Sequence, residues 1–124
     1  MIQRPLSPHL QVYRLPLTAL ISISHRLTGV VLTVGLLIFA ICLMEASKGR
    51  TAYQGVQVFL SSAWGQVLVW GWIFSLLFHL CHGIRHLVWD VGYSFGKEAL
   101  NRYAYLELVS AVILTVTVYV VSQP

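Results

Sequence analysis

Three long uncharged runs predict an all-α membrane protein with three spanning helices. They extend from Leu27 to Met44, from Thr51 to Ile84 and from Leu108 to Pro124. A helix crosses a bilayer core with about 20 apolar residues, in a range of roughly 17–25. Composition agrees, because 57% of the 124 residues are apolar and only 10% are charged, against a soluble charged fraction of about 25%. Nothing is left over for a soluble domain, so the chain reads as a single membrane domain over residues 1–124.

Residues 1–16 hold Pro5, Pro8 and Pro16 and alternate polar with apolar side chains. They are expected to lie extended, with Tyr13 and Arg14 at the membrane–water boundary. Proline tolerates the first turn of a helix, so the first span is expected over 17–44. Its apolar run exceeds a cleaved signal's roughly 7–15 residues, so it is expected to be retained. Glu45 to Arg50 forms a polar link, and Tyr53 to Leu60 an interfacial turn or half-helix. Ser61 and Ser62 offer a cap, and the second span is expected over 63–89, bracketed by Trp64 and Trp89. Gly92 and Gly96 break that helix. The third span is expected over 103–122; its Val- and Thr-rich sequence suits a strand, but a lone strand in lipid leaves its backbone unsatisfied.

The net charge of +4 is scattered over segment ends, a pattern of topology and not of nucleic-acid binding. Arg4, Arg14, Arg26, Arg85, Lys97 and Arg102 fall on one side, and only Lys48 and Arg50 on the other. Excess Lys and Arg marks the cytoplasmic side, which predicts a cytoplasmic N-terminus. Cys42 and Cys81 fall at opposite ends of the bilayer, beyond disulfide reach, and read as small packing residues.

Chemistry concentrates where the second span runs out into charge: His79-Leu80-Cys81-His82-Gly83-Ile84-Arg85-His86-Leu87-Val88-Trp89-Asp90. At about 100° per residue, Gly83, His86 and Asp90 lie within about 40° of His79, and His82 is turned about 60° away. His79 is about 9 Å of helix rise above Arg85, inside the hydrocarbon. An imidazole at that depth is either an axial haem ligand or a buried ring bonded to a neighbouring helix. Gly83 would remove the side chain that a flat macrocycle would otherwise strike. In the first span Ser22, His25, Arg26 and Gly29 share one face. Arg26 and His25 either snorkel to headgroups or serve a site: a guanidinium pairs with a haem propionate or steadies a quinone oxygen. Ser22 either donates to a quinone carbonyl or bonds back to its own helix. Asp90 is expected to pair with Arg85 or cap the loop, and Glu107 to face the boundary, with proton transfer as the alternative for each. Two-histidine ligation needs imidazoles on opposite sides of the ring at matched depth. His9, His25 and His86 read as outside or at the boundary and His82 shares the helix, so the second ligand is expected from another chain.

Arg4-Pro5-Leu6-Ser7-Pro8-His9-Leu10, Ser22-Ile23-Ser24-His25-Arg26-Leu27-Thr28-Gly29, and His79 followed by Gly83-Ile84-Arg85-His86-Leu87 and Trp89-Asp90 together resemble one family. It is that of the cytochrome b membrane-anchor subunits of succinate dehydrogenase, respiratory complex II. The resemblance covers essentially the whole chain. It implies His79 as the axial ligand of haem b, Ser22 and Arg26 in the ubiquinone pocket, and His25 near the haem propionates with His86 as a neighbour. It implies a flavoprotein, an iron–sulfur subunit meeting the N-terminal segment, and a second membrane anchor that completes the bundle and shares the haem. The implied location is a bacterial inner membrane or an equivalent energy-transducing membrane. His82 departs from the plainer apolar residue expected at its position. A haem-free structural anchor and a quinol:fumarate reductase anchor are the alternatives.

Overall fold

The computed structural model describes residues 14–123 and contains four α-helices, with no strand among those residues. They are α1 (Leu17–Ser47), α2 (Arg50–Ser61), α3 (Ala63–Asp90) and α4 (Lys97–Ser122). Three of them, α1, α3 and α4, are long and apolar enough to cross a membrane. The extended segment, with Tyr13 and His9, was expected mostly within residues 1–13, which lie outside the described residues.

The helices outrun the apolar windows, because polar ends go on forming helix where water meets them. α1 continues to Ser47, past Met44, and Lys48 closes its end through an exposed ion pair to Glu45. Gly49, at φ 113°, then turns the chain into α2. This is a full helix where a turn or half-helix was expected. Ser62 caps α3 by accepting from the Gly65 amide at 3.1 Å. Gly92, at φ 89°, ends α3 with its N–H on the Trp89 carbonyl. The fourth helix begins at Lys97, six residues before Tyr103. Lys97–Arg102 are mostly good helix formers, and Glu98 in the first turn complements the positive end of the helix dipole.

Packing is asymmetric. The buried cluster is small: Ile21 of α1, Phe78 of α3, and Ala104 and Ala111 of α4, with Leu17, Cys81 and Leu108 against it. Ala104, Glu107 and Ala111 are the buried residues of α4 and lie on one face, where small side chains let backbones approach without a hydrophobic drive from water. Most other large apolar side chains point outward, including Leu27, Val30, Leu37 and Met44 of α1. Such an exterior suits hydrocarbon and not water.

One close approach of α1 to α3 lies at Gly35. A Cβ at Gly35 would lie 2.0 Å from Trp72 Nε1, and the same indole stacks on Phe39 at 6.2 Å. Trp72 therefore occupies the space a side chain would fill. Gly35→Ala is expected to force the indole out and destabilise the fold by about 1–3 kcal/mol, the usual cost of overpacking. Thermal inactivation of the membrane-extracted protein measures it; an unchanged midpoint would refute this role for the glycine.

Candidate functional site: a histidine cluster and its buried ion pair

Four imidazoles meet where α1 crosses α3. His25 stacks on His79 with ring centroids 3.8 Å apart and 21° between planes. It also lies 4.4 Å from His82 and 5.7 Å from His86. His82 and His86 meet edge to face at 4.7 Å. Ligand nitrogens of His25, His82 and His86 all fall within 4.8 Å of one another. His25 is thus in contact with His79, whereas the sequence reading separated them by depth.

Each of the two rings His79 and His82 has one nitrogen committed to a different helix. Thr28 Oγ1 of α1 lies 3.2 Å from His79 Nδ1 and also donates to the His25 carbonyl at 2.9 Å. A hydroxyl whose single proton is committed to that carbonyl has only lone pairs left. It therefore accepts from His79 Nδ1–H, and the His79 Nε2 keeps its lone pair. The second ring is tied more strongly. His82 Nδ1 is 2.5 Å from Glu107 Oε1 of α4, and Arg85 Nη1 donates to Glu107 Oε2 at 3.1 Å. Arg85 Nη2 donates to the Leu100 carbonyl at 2.7 Å, and the guanidinium sits 4.6 Å from the Trp89 ring centre. The side chains of His82, Glu107 and Arg85 are 1%, 3% and 6% exposed.

This network corrects two expectations. Glu107 is buried at the α3–α4 interface and does not face the boundary. Arg85 pairs with Glu107, leaving Asp90 exposed and without a salt bridge among the described residues. Neither was legible in sequence, since the partners are 22 residues apart and only the packing of α3 on α4 brings them together. One signal was present: an acid and a base in otherwise apolar helices need each other.

The remaining site residues are placed as follows. Ser22 is half-buried and Arg26 exposed on α1, and no side-chain hydrogen bond ties either to another described residue. Gly83 is half-buried, and a Cβ there would meet nothing within 4 Å, so it borders open space. Gly29 is the glycine set against the ligand candidate, since a Cβ there would lie 3.3 Å from His79 Cε1. Two ring nitrogens of the cluster, His25 Nε2 and His82 Nε2, are buried with no partner among the described residues. A buried unsatisfied polar atom costs about 1–3 kcal/mol.

Breaking the ion pair tests its contribution. Glu107→Leu leaves Arg85 buried and unpaired and is expected to destabilise the bundle by about 3–5 kcal/mol. Yield and thermal stability of the membrane-extracted protein report it. Wild-type stability would show that Arg85 finds water in place of the carboxylate.

A model of the family described as succinate dehydrogenase/fumarate reductase transmembrane subunit matches residues 1–119. The chain is 36% identical to the succinate dehydrogenase cytochrome b556 subunit of Paracoccus denitrificans, over 95% of this chain and 91% of that protein. It is 34% identical to the cytochrome b556 subunit of Rickettsia felis, over 95% of this chain and 92% of the relative. It is 35% identical to the cytochrome b560 subunit of Reclinomonas americana, over 97% and 87%. The chain is a multi-pass membrane protein and belongs to the family of succinate dehydrogenase/fumarate reductase transmembrane subunits.

Proposed function

We propose that this chain is the haem b-binding anchor of a succinate:quinone oxidoreductase. In this reading it holds the flavoprotein and iron–sulfur subunits to the membrane and forms part of the ubiquinone site. The observation that carries the reading is His79 with its Nδ1 on Thr28. An imidazole that ligates iron nearly always donates its other N–H to an acceptor, which fixes ring orientation and the free lone pair. His25 lies over the face of His79 and leaves the in-plane Nε2 lone pair clear.

The residues present fit a haem. Unpartnered nitrogens on His25 and His82 await an acceptor or a charge, and Gly83 borders open space on the helix that carries His79. His79 would hold the iron; His25, Arg26 and His86 would meet the carboxylates, and Gly83 would admit the macrocycle. When bound, the haem supplies a one-electron store beside the quinone. A second iron ligand would come from a partner anchor, since His25, the imidazole that α1 brings to His79, is stacked on its face. The uncovered apolar face of α1 supports a second membrane subunit as its neighbour. The Lys and Arg distribution supports a cytoplasmic N-terminus, and bacterial relatives support the inner membrane.

The quinone role falls to Ser22 and Arg26. Ser22 is the donor for one quinone carbonyl, and Arg26, a permanent cation, stabilises negative charge that develops on that oxygen during reduction. Their lack of hydrogen bonds to other described side chains leaves both available to a substrate at the boundary. Electrons reach it from succinate oxidation in the soluble subunits.

Three measurements test the reading in the purified complex. His79→Leu is expected to abolish the reduced haem b spectrum; loss in His82→Leu alone would reassign the ligand. Thr28→Val, which removes the acceptor at constant shape, is expected to weaken haem retention about 10–100-fold, with Thr28→Ser restoring it; wild-type haem content in Thr28→Val would remove that role. Arg26→Leu is expected to lower quinone reductase turnover by about 10²–10³-fold, and Ser22→Ala by less. Unchanged turnover and quinone affinity in both would exclude these residues from the site.

A further inference from the structure

We propose that His82, an imidazole where the family pattern leads one to expect a plain apolar residue, is held by Glu107 as a charged donor to a carboxylate of the haem. This inference rests on the haem reading above and adds a residue to it. The His82 side chain is 1% exposed, its Nδ1 is on Glu107, its Nε2 has no partner among the described residues, and its ring centre lies 4.4 and 4.7 Å from those of His25 and His86. Those two rings are the ones assigned to the acidic edge of the macrocycle. His82 therefore presents one unused nitrogen to the same place.

Charge decides what that nitrogen meets. The groups around it are His25, with Arg26 next in sequence, from α1; Arg85 and His86 from α3; and Glu107 from α4. Glu107 is the sole carboxylate that the described residues bring into contact with these rings. Arg85 and Glu107 cancel. A divalent cation on the three imidazoles would then leave two uncompensated positive charges in a low-dielectric site, which is costly. A doubly protonated His82 facing a carboxylate leaves none: guanidinium against Glu107, imidazolium against the incoming anion. An imidazole set between two carboxylates has to donate from both ring nitrogens. Glu107 and Arg85 are thus positioning residues, acting on the haem through His82.

Equilibrium redox titration of the haem in the intact complex tests this. His82→Gln keeps a donor for Glu107 but carries no charge; the haem is expected to stay bound with a lower midpoint potential, since an uncompensated carboxylate favours ferric iron. Glu107→Gln is diagnostic in sign. Removing a carboxylate alone would raise the potential, whereas removing it together with the nearer proton on His82 lowers it. An unchanged potential in His82→Gln, or a raised one in Glu107→Gln, overturns the proposal. So does saturable binding of one Zn²⁺ that His82→Gln abolishes, which would make the cluster a cation site. Should a variant fail to assemble, redox-difference infrared spectra of the wild type decide: an imidazolium band is expected, and its absence is decisive against. Loss of haem from His82→Gln but not from His79→Leu would make His82 the iron ligand and overturn the proposal too. A wild-type complex without haem removes the underlying reading.

Discussion

An arginine and a glutamate inside a hydrocarbon-facing bundle tolerate no alternative to each other. Arg85 and Glu107 meet at 3.1 Å, the second carboxylate oxygen takes His82, and the second guanidinium nitrogen takes the Leu100 carbonyl. Coulomb attraction between them grows as the dielectric falls, and so does the cost of separating them. Few geometries of α3 on α4 satisfy all three bonds. Elsewhere in the interface Ala104 and Ala111 lie against Phe78 and permit close approach, and Trp70 meets Tyr119 edge to face at 5.0 Å. The three polar bonds narrow the register, and the histidine cluster inherits its position from it.

α1 is attached differently. Its links to α3 are steric and aromatic: Gly35 under Trp72, Gly29 under His79, and His25 on the His79 face. Only Thr28 adds a side-chain hydrogen bond between the two helices. A helix held by two glycine notches and a ring stack can shift a little without breaking an ion pair. The helix bearing the proposed quinone residues Ser22 and Arg26 is thus the one with the weaker electrostatic anchor. The element carrying His79 and His82 is fixed on two sides.

Much of this was legible in the sequence, and the part that was not has a common cause. Uncharged runs announced three apolar helices because lipid imposes its thickness directly on the chain. The histidine-rich end of α3 and the Ser22–Gly29 face of α1 stood out for the same reason, since polar groups in apolar helices are conspicuous. What the helical wheel could not supply was pairing between helices. It offered Asp90 to Arg85 or to a loop cap on local spacing, when Glu107, distant in sequence, is what reaches Arg85. It gave His25 to the boundary, when the crossing of α1 over α3 stacks it on His79. Polarity also hid an end: the third span was expected from residue 103 because charge stops an apolar run, yet charge in water does not stop a helix, and α4 begins at Lys97.

The tie between depth and charge goes one step further. Each ring nitrogen in the cluster that has a partner among the described residues has it from a helix other than its own: Thr28 for His79, Glu107 for His82. The nitrogens without partners, on His25 and His82, converge on one region and are closed off from water. Lipid cannot satisfy them, and none of the described residues does. Three helices thus fix the orientation of these imidazoles and turn two of their nitrogens into a dry site. In the proposed reading, the group that meets these nitrogens lies against Gly83, accepts hydrogen bonds, and is negative where it meets His82.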